Sequence, residues 1–158
     1  MLHRGTLSQV ISRGKIQLTS KNAQTAIDHL FDAFNDHDAD RAVAAYTPDI
    51  QFRMHGQSEN LVGPEAVHAA HEGFFAGFSD IRANILAIVD GGDVVAFEFE
   101  LTGTNDGPYA GRPATGRSVS LRVCDVVRFN AEGLIVSEDN YADQLTMAAQ
   151  LGLIPSPA

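Results

Sequence analysis

The longest run of alternating apolar and polar residues lies in the C-terminal half of the chain, between Ser118 and Phe129. Apolar side chains recur there at every second position, which is the period of a β-strand with one buried face. Asp125 falls on the apolar face, in the middle of this run. A carboxylate among branched apolar neighbours is costly to ionise unless hydrogen bonds stabilise it, so such a residue marks either a structural contact or a working site.

Two helices are predicted ahead of the first strand. Apolar side chains recur at intervals of three and four between residues 23 and 34, which is typical of an amphipathic helix over 21–35. Asp38 is a suitable N-cap for a second helix over 39–46. Proline disfavours helical geometry in the residue before it, so Thr47-Pro48 is expected to end this helix.

A third helix is predicted from Pro64, because proline suits the first helical position, where the missing N–H breaks no hydrogen bond. The apolar face of this helix carries His71 among aromatic residues that include Phe75. A histidine placed in this way is either a core side chain bonded to a carbonyl or a pocket residue. His68 lies three residues earlier, and without a third ligand in view the pair predicts no metal site.

The remaining strands are predicted over residues 50–54, 82–89, 94–104 and 134–141. In the last of them, strict alternation puts Ile135, Asp139 and Tyr141 on one face and Asn140 on the other. We therefore expect Asp139 and Tyr141 to reach the side that Asp125 occupies, unless a bulge shifts the register.

Composition and charge favour one small acidic domain. The chain has 158 residues, a net charge of −9 and a single cysteine, Cys124. One cysteine excludes an intrachain disulfide, and the acidity argues against binding to nucleic acid or to an anionic membrane. We expect residues 1–21 to form an N-terminal arm and residues 22–158 to form one domain. No apolar run approaches the ~20 residues of a membrane span and the first residues lack a signal-peptide core, so a cytoplasmic location is expected.

Three stretches of the sequence carry a family resemblance: the loop from Gly103 to Arg117, the strand end Asp125-Val-Val-Arg-Phe129, and Asp139-Asn-Tyr-Ala-Asp143 followed by Gln150-Leu-Gly152. Together they resemble the SnoaL-like polyketide cyclases, which include many ester cyclases and belong to the cone-fold superfamily of nuclear transport factor and ketosteroid isomerase. The resemblance implies an α+β fold in which a strongly curved, mainly antiparallel sheet wraps around the N-terminal helices. It also implies an internal pocket in this cone and a homodimer.

The resemblance further implies a chemistry. In these cyclases a pocket aspartate near the end of the last long strand acts as acid and base in an intramolecular aldol closure that uses no cofactor. The matching position here is Asp139 or Asn140, and the sequence leaves both open. We expect Asp139, Asp125 and His71 to take part in catalysis. The side chains expected to bind the substrate are Asn140, Tyr141, Tyr46, His55, Phe34 and Phe75.

The resulting hypothesis is a cofactor-independent cyclase, isomerase or lyase that acts on a small, largely apolar carbonyl compound. An apolar cone around a carboxylate would raise its pKa toward the working pH, as an acid–base group requires. One alternative is a protein that binds a small apolar or aromatic molecule without turning it over. Another is an epoxide hydrolase, which would need an Asp-Arg-Asp set that includes Arg53 or Arg122. The third is an interaction module whose outer sheet face serves dimerisation.

Overall fold

The computed structural model describes residues 21–155, with side chains from residue 25 onward. The arm expected over 1–21 lies outside the described residues, except that Lys21 begins the first helix. The helices are α1 (Lys21–Asn35), α2 (Ala39–Val43), α3 (Pro64–Gly77) and α4 (Gln144–Gln150). The strands are β1 (Tyr46–Met54), β2 (Leu61–Val62), β3 (Arg82–Asp90), β4 (Val94–Thr104), β5 (Ser118–Phe129) and β6 (Ile135–Ala142).

The six strands form one sheet in the order β2-β1-β6-β5-β4-β3. β1 and β6 run parallel to each other, and the other neighbouring pairs are antiparallel. α1 contacts β3, α3 contacts β1 and α4 contacts β5, so the helices cover the inner face of the curved sheet. This arrangement leaves an interior space between the sheet and the helices.

The core follows the alternation seen in the sequence. Side chains at every second position of β4 and β5 are buried, among them Phe97 and Val127. Phe31 of α1 packs edge-on against Phe97 and Phe99, with ring centroids 5.4 and 5.2 Å apart. Such edge contacts hold the helix against the sheet because the positive ring edge meets the negative ring face.

The segment around Tyr46 differs from the prediction. α2 ends at Val43, and Tyr46, expected in this helix, begins β1. The backbone of Tyr46 pairs with Ile135 of β6, which a helical residue could not do. Pro48 lies inside the strand at a shift in register between Tyr46 and Gln51, where its missing N–H removes no regular ladder bond.

A bulge in β6 changes which of its side chains face inward. Phe129 pairs with Ile135, but Arg128 pairs with Ser137, so Val136 is an additional residue. An additional residue reverses the alternation beyond it. Ile135 and Glu138 are both buried, whereas strict alternation would have placed them on opposite faces.

The loop over residues 105–117 is fastened to α3 by buried Asn105. The Asn105 amide donates to the carbonyl oxygens of Gly77 and Gly107, both at 3.0 Å, and its oxygen accepts from the Thr115 N–H at 2.8 Å. Gly107 passes so close to the helix that a Cβ there would lie 1.9 Å from the Ala76 oxygen. These contacts fix the loop beside the interior space.

Candidate functional site

The interior space is a cavity of about 400 Å³ between the sheet, α1, α3 and the loop over 105–117. Most of its wall is apolar and aromatic. Phe34 comes from α1, Phe74 from α3, Phe52 from β1 and Tyr109 from the loop. A cavity of this size and character suits a small, largely apolar molecule.

Two carboxyl groups meet in the wall of the cavity. Asp125 of β5 is 5% exposed and Glu138 of β6 is 3% exposed, and the two side chains are hydrogen-bonded to each other. The Tyr46 hydroxyl donates to Glu138 Oε2 at 2.7 Å, and Asn140 Nδ2 donates to Asp125 Oδ1 at 2.6 Å. Four polar side chains from three strands thus form one connected network in an apolar surrounding.

The network shifts the ionisation of its members. Burial, followed by the charge of Glu138, raises the pKa of Asp125 well above its usual range. Burial also raises the pKa of Glu138, although hydrogen bonds from Tyr46 and Asp125 oppose the shift. Burial raises the pKa of Tyr46 as well, so its hydroxyl remains a neutral donor.

His71 contributes a neutral imidazole to the cavity wall. Burial, with a smaller effect of His68, lowers the pKa of His71 to about 4. Its ring meets Phe34 edge-on at 5.6 Å and Phe75 at 6.1 Å between centroids. Nδ1 is buried without a hydrogen-bond partner, so at this atom the expected carbonyl bond of a core histidine is not formed.

Asp139 does not enter the cavity, and the expectation that it would do so is wrong. Its carboxylate accepts from Arg53 Nε at 2.5 Å and from Arg53 Nη2 at 2.7 Å, and His55 Nε2 lies 3.1 Å away. The hydrogen bond from Arg53 is the main cause that lowers the pKa of Asp139 to about 2. The physical reason is the bulge at Val136, which turns Asp139 outward and Asn140 inward.

Comparison with known proteins identifies the family. A model of the SnoaL-like domain matches residues 27–138. This chain belongs to the SnoaL-like domain family. Among curated proteins, none is similar enough to this sequence to count as a match.

Solved structures share the SnoaL-like fold. A candidate SnoaL-like polyketide cyclase from Jannaschia sp. CCS1 is 22% identical, with 90% of this chain and 100% of that chain covered and a TM-score of 0.77. IdmH, a candidate polyketide cyclase from Streptomyces antibioticus, is 29% identical, with 82% and 98% covered and a TM-score of 0.68. AclR, a candidate hydroxylase from Streptomyces galilaeus, is 22% identical, with 86% and 84% covered and a TM-score of 0.75. The predicted α+β cone fold is confirmed.

The structure separates the side chains expected to bind substrate into two groups. Tyr46, Asn140 and Phe34 line the cavity of this SnoaL-like chain. His55 and Tyr141 do not, since they stack on each other outside it with ring centroids 4.1 Å apart. Phe75 is also absent from the lining, because it packs behind the cavity wall against Phe34 and His37.

Glu138 is one of the site residues that sequence reasoning missed. The signal was present in Leu134-Ile135-Val136, three consecutive apolar residues that cannot alternate across a sheet. A bulge predicted at this point would have directed the side chains of Glu138 and Asn140 toward the cavity. Tyr109 was also missed, because the loop that carries it follows no periodic pattern.

The arrangement that epoxide hydrolysis needs is not formed in the SnoaL-like cavity. Arg53 binds Asp139 outside it, and Arg122 donates to Glu98 at 2.7 Å. Among residues 21–155, no arginine lines the cavity. Within the same range, no three or more His, Cys, Asp or Glu side chains are grouped to hold a metal ion, and no helix has the length and apolarity to cross a membrane.

Proposed function

We propose that this protein transfers a proton on a small apolar carbonyl compound, without a cofactor, in a cyclisation or isomerisation. The observation that carries the proposal is the hydrogen-bonded pair of Asp125 and Glu138 inside an apolar cavity. Membership of the SnoaL-like family supports it, because the resemblance to the cyclases implies cofactor-free acid–base chemistry in this cavity. The likeness to IdmH, a candidate polyketide cyclase, points the same way.

The carboxyl pair holds one proton near neutral pH. Two neighbouring buried carboxylates repel each other, so one of them keeps its proton where surface carboxyls would have lost both. We assign this proton to Asp125, because Glu138 already accepts a hydrogen bond from the Tyr46 hydroxyl, which favours its ionised form. Glu138 is then the carboxylate, and it accepts hydrogen bonds from Asp125 and from the Tyr46 hydroxyl.

Glu138 is the base in the proposed step. It takes a proton from the carbon beside the substrate carbonyl, and the electrons of that C–H bond move toward the carbonyl oxygen to give an enolate. One amide hydrogen of Asn140 is donated to Asp125, and the second can donate to the enolate oxygen and stabilise it. Return of the proton from Glu138 to a different carbon completes an isomerisation. Attack of the enolate carbon on a second carbonyl, with the proton passing to the new alkoxide, completes a cyclisation.

The wall of the cavity supports this chemistry by excluding water. Phe34, Phe74 and Tyr109 present apolar surface around the carboxyl pair. His71 is uncharged at neutral pH, so it shapes the cavity without adding a cation that would lower the pKa of Glu138. A base that stays desolvated keeps its raised pKa until the substrate arrives.

Ligand binding without turnover is a second candidate function, and Asn140 favours it. The resemblance places the acid of the cyclases at position 139 or 140, and the side chain that lines the cavity is the amide. An amide cannot take a proton from carbon. If Glu138 does not replace the missing acid, the cavity would bind its ligand and leave it unchanged.

The experiment that tests the proposal follows the exchange of the α-hydrogens of 2-tetralone with D₂O by proton NMR. Glu138→Gln is expected to lower the enzymatic exchange rate about a hundredfold, the usual contribution of a positioned base. Asp125→Asn, which keeps a donor beside Glu138 in place of the protonated carboxyl, is expected to lower the rate less than Glu138→Gln does. Asp139→Asn removes the neighbouring charge on the outer face and is the matched control, with an expected change of less than about twofold. Unchanged exchange in Glu138→Gln would refute the proposed role, and binding of the ketone without exchange by the wild type would favour the second function.

A homodimer and a cytoplasmic location complete the proposal. The homodimer follows from the resemblance to the cyclases, and the cytoplasmic location is the expectation drawn from the sequence. Sedimentation equilibrium measures the first, and fractionation of the source cells measures the second.

A further inference from the structure

Among the residues that the structure describes, the cavity wall carries acidic side chains and no basic side chain that is charged near neutral pH. Among its described lining residues are Asp125 and Glu138, and none is lysine or arginine. His71, the only histidine among these lining residues, is uncharged near neutral pH. A pair of buried carboxyls that keeps one proton therefore leaves the described wall with about one net negative charge.

Aromatic rings surround this negative charge. They belong to α1, α3, β1, β4 and the loop over 105–117, and they are Phe31, Phe34, Tyr46, Phe52, Phe74, Phe99 and Tyr109. The face of an aromatic ring is electrostatically negative and attracts cations within about 6 Å of its centre. Rings and carboxyls thus favour the same sign of charge in a ligand, while the ring carbons also accept an apolar body.

From this lining we propose that the cavity selects ligands that carry a protonated amine on an apolar skeleton. The skeleton would fill the aromatic part of the space of about 400 Å³, and the ammonium group would lie against the carboxyl pair. A carboxylate or phosphate in the same place would face two acids and, among the described lining residues, no cation, so its desolvation would go uncompensated. The inference rests on the proposed function only in using the same cavity, and it concerns the binding of a ligand there rather than its turnover.

An ammonium ligand would also change the protonation of the pair. A cation beside two carboxyls favours their ionised forms, so part of the shared proton would leave when the amine binds. A neutral ligand would have little effect of this kind. Binding of an amine should therefore release protons to the buffer, and the release should depend on Glu138.

The test is isothermal titration calorimetry with three probes that share one skeleton: 1-adamantylamine, 1-adamantanol and adamantane-1-carboxylate. At pH 7 the wild type is expected to bind the amine at least about tenfold more tightly than the alcohol, and the carboxylate least tightly. Repeating the amine titration in buffers of different ionisation enthalpy measures the released protons. Glu138→Gln is expected to remove most of the preference, whereas Asp139→Asn, which deletes a charge one residue away but outside the cavity, is expected to retain it.

The wild-type ranking alone decides the inference, even if Glu138→Gln does not fold. Equal affinity for amine and alcohol, tight binding of the carboxylate, or no binding of any probe would overturn it. None of these results would change the exchange of 2-tetralone hydrogens. The two experiments therefore test the ligand preference and the proposed proton transfer independently. Loss of the preference in Asp139→Asn would overturn the assignment to the cavity carboxyls.

Discussion

Replacement of Asp139 by asparagine should lower stability without affecting the cavity. The side chain is only 14% exposed and makes two hydrogen bonds to Arg53, which asparagine cannot match because it has a single acceptor oxygen. These contacts lower the pKa of Asp139 from 3.8 to about 2. A shift of this size corresponds to roughly 2–3 kcal/mol by linkage. Because Arg53 is 38% exposed, solvent screening reduces our expectation to about 1–2 kcal/mol at pH 7.

The pH dependence of this loss has a definite sign. A carboxyl group whose folded pKa is depressed stabilises the protein above its unfolded pKa, and that stability disappears as the pH falls through the folded value. The difference between wild type and Asp139→Asn should therefore be constant above about pH 5 and shrink between about pH 4 and 2. Urea denaturation at pH 7 and at pH 3, with and without added salt, measures it. A loss that is absent at pH 7, or undiminished at pH 3, would refute the reasoning.

Two further substitutions test the polar network and the loop. Tyr46→Phe removes the donor to Glu138 Oε2, so we expect the free energy of unfolding, measured by urea denaturation, to fall by about 1–3 kcal/mol. Because this hydrogen bond lowers the pKa of Glu138, the acidic limb of the pH–rate profile of 2-tetralone exchange should move to higher pH. An unchanged acidic limb would contradict the role of Tyr46. Gly107→Ala should lower the melting temperature, because its Cβ would lie 1.9 Å from the Ala76 oxygen. Gly73→Ala, whose Cβ meets nothing within 4 Å, is the matched control and should raise it slightly.

Much of the architecture was predictable because it rests on local periodicity. The three-and-four spacing of apolar residues predicted a helix over 21–35, and α1 covers the same residues. Alternation predicted β5 and placed Asp125 on its inner face, where the structure buries it. The loop and strand-end motifs led to the SnoaL-like family, which the match over residues 27–138 confirms.

The site was less predictable because one residue decided it. Strict alternation from Ile135 predicted that Asp139 faces the cavity. The additional residue Val136 shifts the alternation by one position, so Glu138 and Asn140 face the cavity instead. The prediction for Tyr46 failed for a similar reason: its backbone pairs with Ile135 of β6, so it lies in a strand and not in the predicted helix. Neither outcome depends on the local preference of a single residue.

The sequence by itself determined most of the helices and strands, the family and the burial of Asp125, because hydrophobic period and turn chemistry act between near neighbours along the chain. Only the tertiary structure decided which acid accompanies Asp125. A carboxylate on a bulged strand faces inward or outward according to how the strand pairs with its neighbours. β6 pairs with β1 as well as with β5, and its β1 partners lie about 90 positions earlier in the chain. The hydrogen bond between Tyr46 and Glu138 joins residues separated by 92 positions.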